Sequence, residues 1–125
     1  NVNIKKLINF HKTKKKIATV TVVQPTARFG KVEIDNKMIV TKFIEKSKGD
    51  TGWINGGFFV LNKKIFNYLK NDQTVFEKGP LEKLSTDRQL AAFKHEGFWQ
   101  PMDTLREKEF LEEQWNSNKA PWKIW

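Results

Sequence analysis

The chain has 125 residues, 38% of them hydrophobic and 30% charged, which is the make-up of one globular domain able to bury about 65% of its unfolded surface. It contains no run of eighteen apolar residues to serve as a membrane span. It also has no cysteine, so disulfides, thiolate metal sites and cysteine nucleophiles are excluded. The formal net charge of +9 invites a nucleic-acid reading, but the 23 basic residues are 20 Lys and only 3 Arg, at Arg28, Arg88 and Arg106. Base and phosphate recognition favours the planar fork of arginine, and the acidic residues are interleaved along the chain. No nucleic-acid partner is therefore expected.

In chain order, Ile4, Leu7, Ile8 and His11 recur at helical spacing and predict an amphipathic helix over residues 3–12. The densest basic run, Lys12, Lys14, Lys15 and Lys16, follows as a solvated loop, with a phosphate or surface contact as the sharper alternative. Residues 17–23, IATVTVV, are β-branched and uncharged, as a strand buried on both faces requires. Gln24-Pro25-Thr26 ends it. Residues 31–35 and 38–44 alternate in polarity around Asp35-Asn36-Lys37, a hairpin signal. Residues 53–61, WINGGFFVL, read as an apolar strand interrupted by Gly56 and Gly57. A short helix carries Ile65, Phe66 and Leu69, and Gly79-Pro80 introduces another with Leu81 and Leu84. Residues 90–95 form a further strand. Asp103 or Thr104 then opens a last helix, with Leu105, Phe110, Leu111 and Trp115 on its apolar side.

Strands alternating with helices favour an α/β fold with a mixed sheet and flanking helices. The chain opens with a helix leading straight into a fully apolar strand, and such strands belong in the middle of a covered sheet. Together with a first residue that is Asn1 rather than methionine, this suggests half of a larger sheet.

Three segments carry candidate chemistry, each with a plainer alternative. In Ala27-Arg28-Phe29-Gly30, the glycine admits close backbone approach to a ligand or simply turns the chain into a hairpin. Glu45-Lys46 closes a strand about ten residues before Asn55-Gly56-Gly57. The carboxylate suits sugar hydroxyls and the ammonium a phosphate, while paired glycines inside a strand signal a bulge or close ligand approach. An exposed ion pair and a sheet corner are the alternatives. In the segment Gly97-Phe98-Trp99-Gln100-Pro101-Met102-Asp103-Thr104, Asp103 is a helix N-cap or an oxygen ligand for Mg²⁺. His11 and His95 do not form a metal pair by spacing. Trp115, Trp122 and Trp125 read as core or interface anchors.

The stretches IATVTVVQPTARFGKVEID, FIEKSKGDTGWINGGFFVL, FEKGPLEKL, HEGFWQPMDTLREKEFLEEQW and NKAPWKIW, in this order, resemble the glucose-1-phosphate cytidylyltransferases, a branch of the sugar nucleotidyltransferases. GFWQPMDT and APWKIW are more specific to the cytidylyl enzymes than to their thymidylyl and mannose relatives. The resemblance implies residues 1–125 as the sugar-phosphate-binding C-terminal portion of a Rossmann-like, glycosyltransferase-A-like domain. The family's glycine-rich GGxGTR loop, catalytic lysine and GDG-type aspartate fall outside it, so no catalytic residue is expected within the chain and the chain alone is expected to be inactive.

The implied reaction transfers a cytidylyl group from CTP to glucose 1-phosphate, giving CDP-glucose and pyrophosphate. Carried over by position, Gly30 contacts the sugar through its backbone, Glu45 accepts sugar hydroxyls, and Lys46 holds the sugar phosphate. Asn55 and Gly56 line the pocket, Arg28 and Trp99 are wall residues, and Asp103 is a Mg²⁺ ligand. Ser47 departs from the proline that relatives often carry after the Glu-Lys pair. The resemblance further implies a cytoplasmic, homo-oligomeric bacterial parent that serves dideoxysugar and surface-polysaccharide synthesis. The alternative from another class is a non-catalytic sugar-phosphate-binding or assembly module.

Overall fold

The computed structural model describes residues 1–25, 31–44 and 52–125. The first helix, α1, spans Ile4–Lys14 and starts where the Asn3 side chain accepts the Lys6 amide at 2.9 Å, satisfying one of the helix's otherwise unpaired N–H groups. It stops at Lys15, which is left-handed with φ 52° and returns its N–H to the His11 carbonyl. Leu7 is buried, Phe10 meets Phe93 edge-on at 5.4 Å between ring centroids, and His11 Nδ1 lies 2.9 Å from the Thr19 hydroxyl. Ile4 and Ile8, expected on the same stripe, are exposed. At 100° per residue the buried arc runs from Phe10 through Leu7 to His11, which puts Ile8 outside it and Ile4 at its margin.

Strand β1, Ala18–Val23, is the centre of a three-stranded sheet of order β4-β1-β5. Its neighbours are β4 (Ile54–Leu61), which is antiparallel, and β5 (Leu90–Lys94), which is parallel. Ala18, Thr19, Val20, Thr21 and Val23 are all buried, as an uncharged β-branched segment paired on both edges and covered on both faces must be. Side chains alternate across it. Thr19 faces α1, while Ala18 faces a core with Ile65 and Leu84, against which Ile17, Tyr68, Phe76, Leu81 and Leu90 pack. Phe59 joins this face through an edge-on contact with Phe76, 5.4 Å between centroids.

The elements that carry this core are short. Residues Lys63–Tyr68 form a 3₁₀ helix, where the sequence suggests an ordinary short helix, and Asn62 caps it by accepting the Lys64 amide at 3.0 Å. Ile65 is buried and Phe66 exposed. Helix α2, Pro80–Thr86, begins after Gly79, whose φ of 71° turns the chain before a proline that needs no amide partner at a helix start. The last helix, α3, spans Leu105–Asn116 and has no fully buried residue; Leu105, Phe110 and Trp115 remain exposed.

Strands β2 (Lys31–Ile34) and β3 (Val40–Ile44) make the expected separate antiparallel hairpin. Its turn is tied by Asp35, whose carboxylate accepts the amides of Lys37 and Ile39, both at 2.9 Å, with Met38 left-handed at φ 63°. Among the described residues no helix is long and apolar enough to cross a membrane.

Leu84→Ala should lower the unfolding free energy by about 2–5 kcal/mol, the cost of a cavity at a closed site. Leu105→Ala, at a position 69% exposed, should change it by no more than about 0.5 kcal/mol. Urea unfolding followed by tryptophan fluorescence compares the two.

Candidate functional site

The carboxyl ends of the parallel strands β1 and β5 meet the start of β4 at one end of the sheet, where Val22 is in register with both Asn55 and Lys94. The β1–β4 ladder is irregular at this end. Val20 pairs with Phe59 and Val22 with Asn55, so Gly56, Gly57 and Phe58 stand opposite Thr21 alone. This is the bulge that the paired glycines suggested, and it bends the strand away from regular pairing. Gly56 is buried, and a Cβ there would lie 3.0 Å from Val23 Cγ1 and 3.1 Å from the Thr21 carbonyl oxygen. Gly57 has φ 86°, a conformation suited to glycine. The Asn55 side-chain oxygen accepts the Gly57 amide at 2.9 Å, which closes the bulge on itself.

A second segment packs against the bulge. The ladder continues through the His95 amide to the Val22 carbonyl at 2.9 Å, and the chain then folds back. His95 Nε2 lies 3.1 Å from the Phe98 carbonyl oxygen, and the terminal amine of Asn1 donates to the same oxygen at 3.0 Å. This turn presents Trp99, whose indole N–H donates to the Gly56 carbonyl at 3.0 Å. Two segments 43 residues apart, read separately as site candidates, are thus joined by a direct hydrogen bond. Trp99 acts here by holding the bulge.

Two residues that sequence reasoning passed over also sit at this end. The Lys94 ammonium lies 4.9 Å from the Trp53 ring centroid, a cation–π contact that spans the end of β1. Nothing in the spacing of Trp53 and Lys94 announces it; the antiparallel and parallel registers on either side of Val22 create it.

Asp103 is exposed, and it is not the helix cap. Thr104 takes that role in a reciprocal capping box with Glu107. The Glu107 carboxylate accepts the amides of both Asp103 and Thr104 at 3.0 Å, and the Thr104 hydroxyl accepts the Glu107 amide at 3.3 Å. A threonine cap with Glu three residues on satisfies the first amides of the helix, so the Asp103 carboxylate has no partner among the described residues. Oxygen donors of this kind suit Mg²⁺, which takes one or two carboxylates together with phosphates and waters. The described residues hold no cluster of three or more metal-ligating side chains. The exposed, unpartnered Asp103 carboxylate is a donor of the type that such an ion takes.

Beside Trp99 lies a largely apolar hollow of about 830 Å³ whose walls include Phe58, Phe98, Met102, Trp115 and Trp122. Trp122 anchors the tail through Phe98, 5.4 Å between ring centroids. Trp115 and Trp125 are exposed. Arg28, Gly30, Glu45 and Lys46 lie outside the described residues. The residues adjoining the outer two segments, Lys31 and Ile44, pair across the hairpin.

Comparison with known proteins decides the family. The sequence profile described as Nucleotidyl transferase matches residues 1–114. The chain belongs to the nucleotidyl transferase family. Among curated members, it is 50% identical over 125 residues to the glucose-1-phosphate cytidylyltransferase of Salmonella typhi, covering all of this chain and 48% of the relative. It is 42% identical over 126 residues to a probable glucose-1-phosphate cytidylyltransferase of Bacillus subtilis, covering 100% and 49%. Mannose-1-phosphate guanyltransferase of Saccharomyces cerevisiae is 32% identical over 86% of this chain and 30% of its own length. The chain thus spans about half the length of the cytidylyltransferases that it matches.

Solved structures show the same fold. HddC from Yersinia pseudotuberculosis superposes with a TM-score of 0.60 at 21% identity, covering 91% of this chain and 50% of that one. A putative glucose-1-phosphate thymidylyltransferase from Bacillus anthracis superposes at 0.59 with 17% identity, covering 100% and 52%. The mixed α/β architecture expected for a nucleotidyl transferase is confirmed.

Trp99→Phe keeps an aromatic but smaller ring and deletes the donor to Gly56, and should cost about 1–3 kcal/mol, the range for leaving a carbonyl acceptor without its partner. Gly56→Ala forces a methyl group into the gap against Val23 and should cost about 1–3 kcal/mol. The double variant should fall short of the sum of the singles by about 0.5 kcal/mol or more, because the two changes act on one contact. Chemical unfolding of all three variants and the parent measures this.

Proposed function

We propose that this chain is the sugar-phosphate-binding half of a glucose-1-phosphate cytidylyltransferase, the enzyme that joins CTP and glucose 1-phosphate to give CDP-glucose and pyrophosphate. The observation that carries the reading is the 50% identity over the whole chain to an enzyme of that name, of which this chain covers 48%. Cytidylyl relatives at 50% and 42% identity, against 32% for a guanyl relative, favour CTP as the nucleotide.

The half-domain reading has independent physical support. The chain exposes 9937 Å², whereas a closed monomer of 14.7 kDa exposes about 6,900 Å². Large apolar side chains are among the residues it exposes. Phe58, on an edge strand of the β4-β1-β5 sheet, is 48% exposed, and α3 has no fully buried residue. Strand edges and helix faces of that kind belong against further structure. A nucleotide-binding half, supplied by the same polypeptide or by a second one, fills that role in the proposal.

In the mechanism we infer, glucose 1-phosphate sits at the end of β1. Lys46 neutralises its phosphate, Glu45 accepts sugar hydroxyls, and Gly30 approaches with its backbone. The Asn55–Gly57 bulge forms the pocket wall, held in place by Trp99, with Arg28 beside it. Bound Mg²⁺ would be held by Asp103 together with a carboxylate of the complementary half, and would supply charge neutralisation at the phosphates. A phosphate oxygen of the sugar phosphate attacks the α-phosphorus of CTP and pyrophosphate leaves. Such transfers depend on positioning and charge neutralisation more than on covalent help from the protein, so a chain that holds one substrate without the other is inactive alone.

CDP-glucose formation, measured by chromatography of CTP and glucose 1-phosphate mixtures, should be absent with the purified chain and should appear when the nucleotide-binding half of a cytidylyltransferase is added. In that reconstituted enzyme, Lys46→Ala should raise KM for glucose 1-phosphate at least about tenfold, the loss expected from one charge-assisted contact, and Asp103→Asn should lower kcat. Turnover by the isolated chain would refute the half-enzyme reading. Saturable glucose 1-phosphate binding that persists when every reconstitution fails to turn over would favour a non-catalytic binding module.

A further inference from the structure

The basic run at the end of α1 remains outside the function described so far, and it forms a helix end and cap where the sequence suggests a loop. Lys12 and Lys14 belong to the last turn of α1, and Lys15 is its left-handed cap. Lys12, Lys15 and Lys16 line a hollow of about 720 Å³ together with His11, Ile17, Asn62, Lys64, Tyr68, Asp87 and Gln89. The hollow lies at the start of β1 and β5, whereas the Asn55–Gly57 bulge lies at their far end. Between Ala18 and Val23 the strand advances about 17 Å, too far for one small ligand to reach both places.

The hollow is built on backbone. The Asn62 amide donates to the Ile17 carbonyl at 2.8 Å and the Ala18 amide to the Gln89 carbonyl at 3.0 Å, tying three separate segments into one floor. Asn62 also caps the 3₁₀ helix at Lys64, and His11 is held to Thr19. Four lysines, Lys12, Lys15, Lys16 and Lys64, line this hollow, and none of them has an ion-pair partner among the described residues. The single carboxylate lining it, Asp87, already accepts the Tyr68 hydroxyl at 2.9 Å, a contact that raises the phenol above its ordinary pKa.

Cations in the last turn of a helix offset its negative end, which amounts to about half a charge, and Lys12 and Lys14 already meet that need. That account does not reach Lys64, which comes from a different element and lines the same hollow. Unpaired like charges gathered in a concavity focus a positive potential. Lysines present point charges, not forks, so they suit a chain of phosphates better than a base edge.

We propose that this hollow is a second binding site, separate from the sugar-phosphate pocket, for a soluble anion carrying a chain of two or more phosphates. Lys12, Lys16 and Lys64 contact its phosphates, and Tyr68 forms one wall. The charge distribution carries this inference, which holds whether or not the cytidylyl reading does.

The test is calorimetric titration of the purified 125-residue chain with inorganic tripolyphosphate and, separately, with ATP. Both should bind saturably at one equivalent and weaken as salt is raised. Combined Lys12→Gln, Lys16→Gln and Lys64→Gln should weaken both by about tenfold or more, and Lys64→Gln alone should account for a measurable part. A control with the same charge removed elsewhere, Lys5→Gln, Lys37→Gln and Lys42→Gln, should change affinity less than about threefold, and so should Lys46→Ala. Tighter binding of ATP than of tripolyphosphate would place the nucleoside in the same site, whereas equal binding would assign the site to the phosphate chain alone. Loss of affinity that is equal in the two triple variants, or absence of saturable binding by folded chain as judged by far-UV circular dichroism, overturns the proposal.

Discussion

The pairing of β1 on both of its edges is the constraint on which the rest depends. An uncharged, β-branched strand of six residues has no stable place at a surface, so it fixes β4 on one side and β5 on the other and requires a helix over one face and a core over the other. α1 lies over the Thr19 face and the 3₁₀ helix with α2 over the Ala18 face. Because β4 is antiparallel and β5 parallel to it, the start of one and the end of the other are brought to the same end of the sheet. The candidate pocket is a consequence of that register.

Within the pocket, local chemistry and global packing support one another. A bulge at Gly56 and Gly57 costs ladder hydrogen bonds, and the Asn55 side chain and the Trp99 indole take up groups that the ladder gives up. The capping box at the start of α3 occupies Thr104 and Glu107 and leaves the neighbouring Asp103 carboxylate available. In both places side chains satisfy backbone groups that the local geometry leaves over. The outer surfaces tell a complementary story: the exposed apolar residues of β4 and α3 are stable partners for further structure and poor ones for water.

Much of this was legible in the sequence because the signals were local. The apolar run at residues 17–23, the Asp35-Asn36-Lys37 turn, Gly79-Pro80 and the paired glycines each announce their structure by residue type within a few positions, and each appears where expected. Position along α1 was harder. Ile4 and Ile8 match the helical period, yet it is Phe10 that meets Phe93 of β5, and which arc of the helix faces the sheet is a property of packing. Asp103 and Thr104 compete for one cap on nearly equal propensity, and the choice falls to Thr104 because Glu107 stands three residues beyond it. The Trp53–Lys94 contact and the basic hollow join segments far apart in the chain, so only the register of the sheet reveals them.

Whether the end of β1 is the proposed sugar-phosphate pocket, walled by the bulge and held by Trp99, is decided by titrating the ¹⁵N-labelled chain with glucose 1-phosphate and following its amide and indole resonances. Saturable shifts should concentrate at Asn55, Gly56, Gly57 and the Trp99 indole N–H, with the resonances of Lys15, Lys16 and Lys64 at the opposite end of the strand unmoved. Saturable shifts confined to that opposite end, or no saturable shift at the bulge, would contradict it.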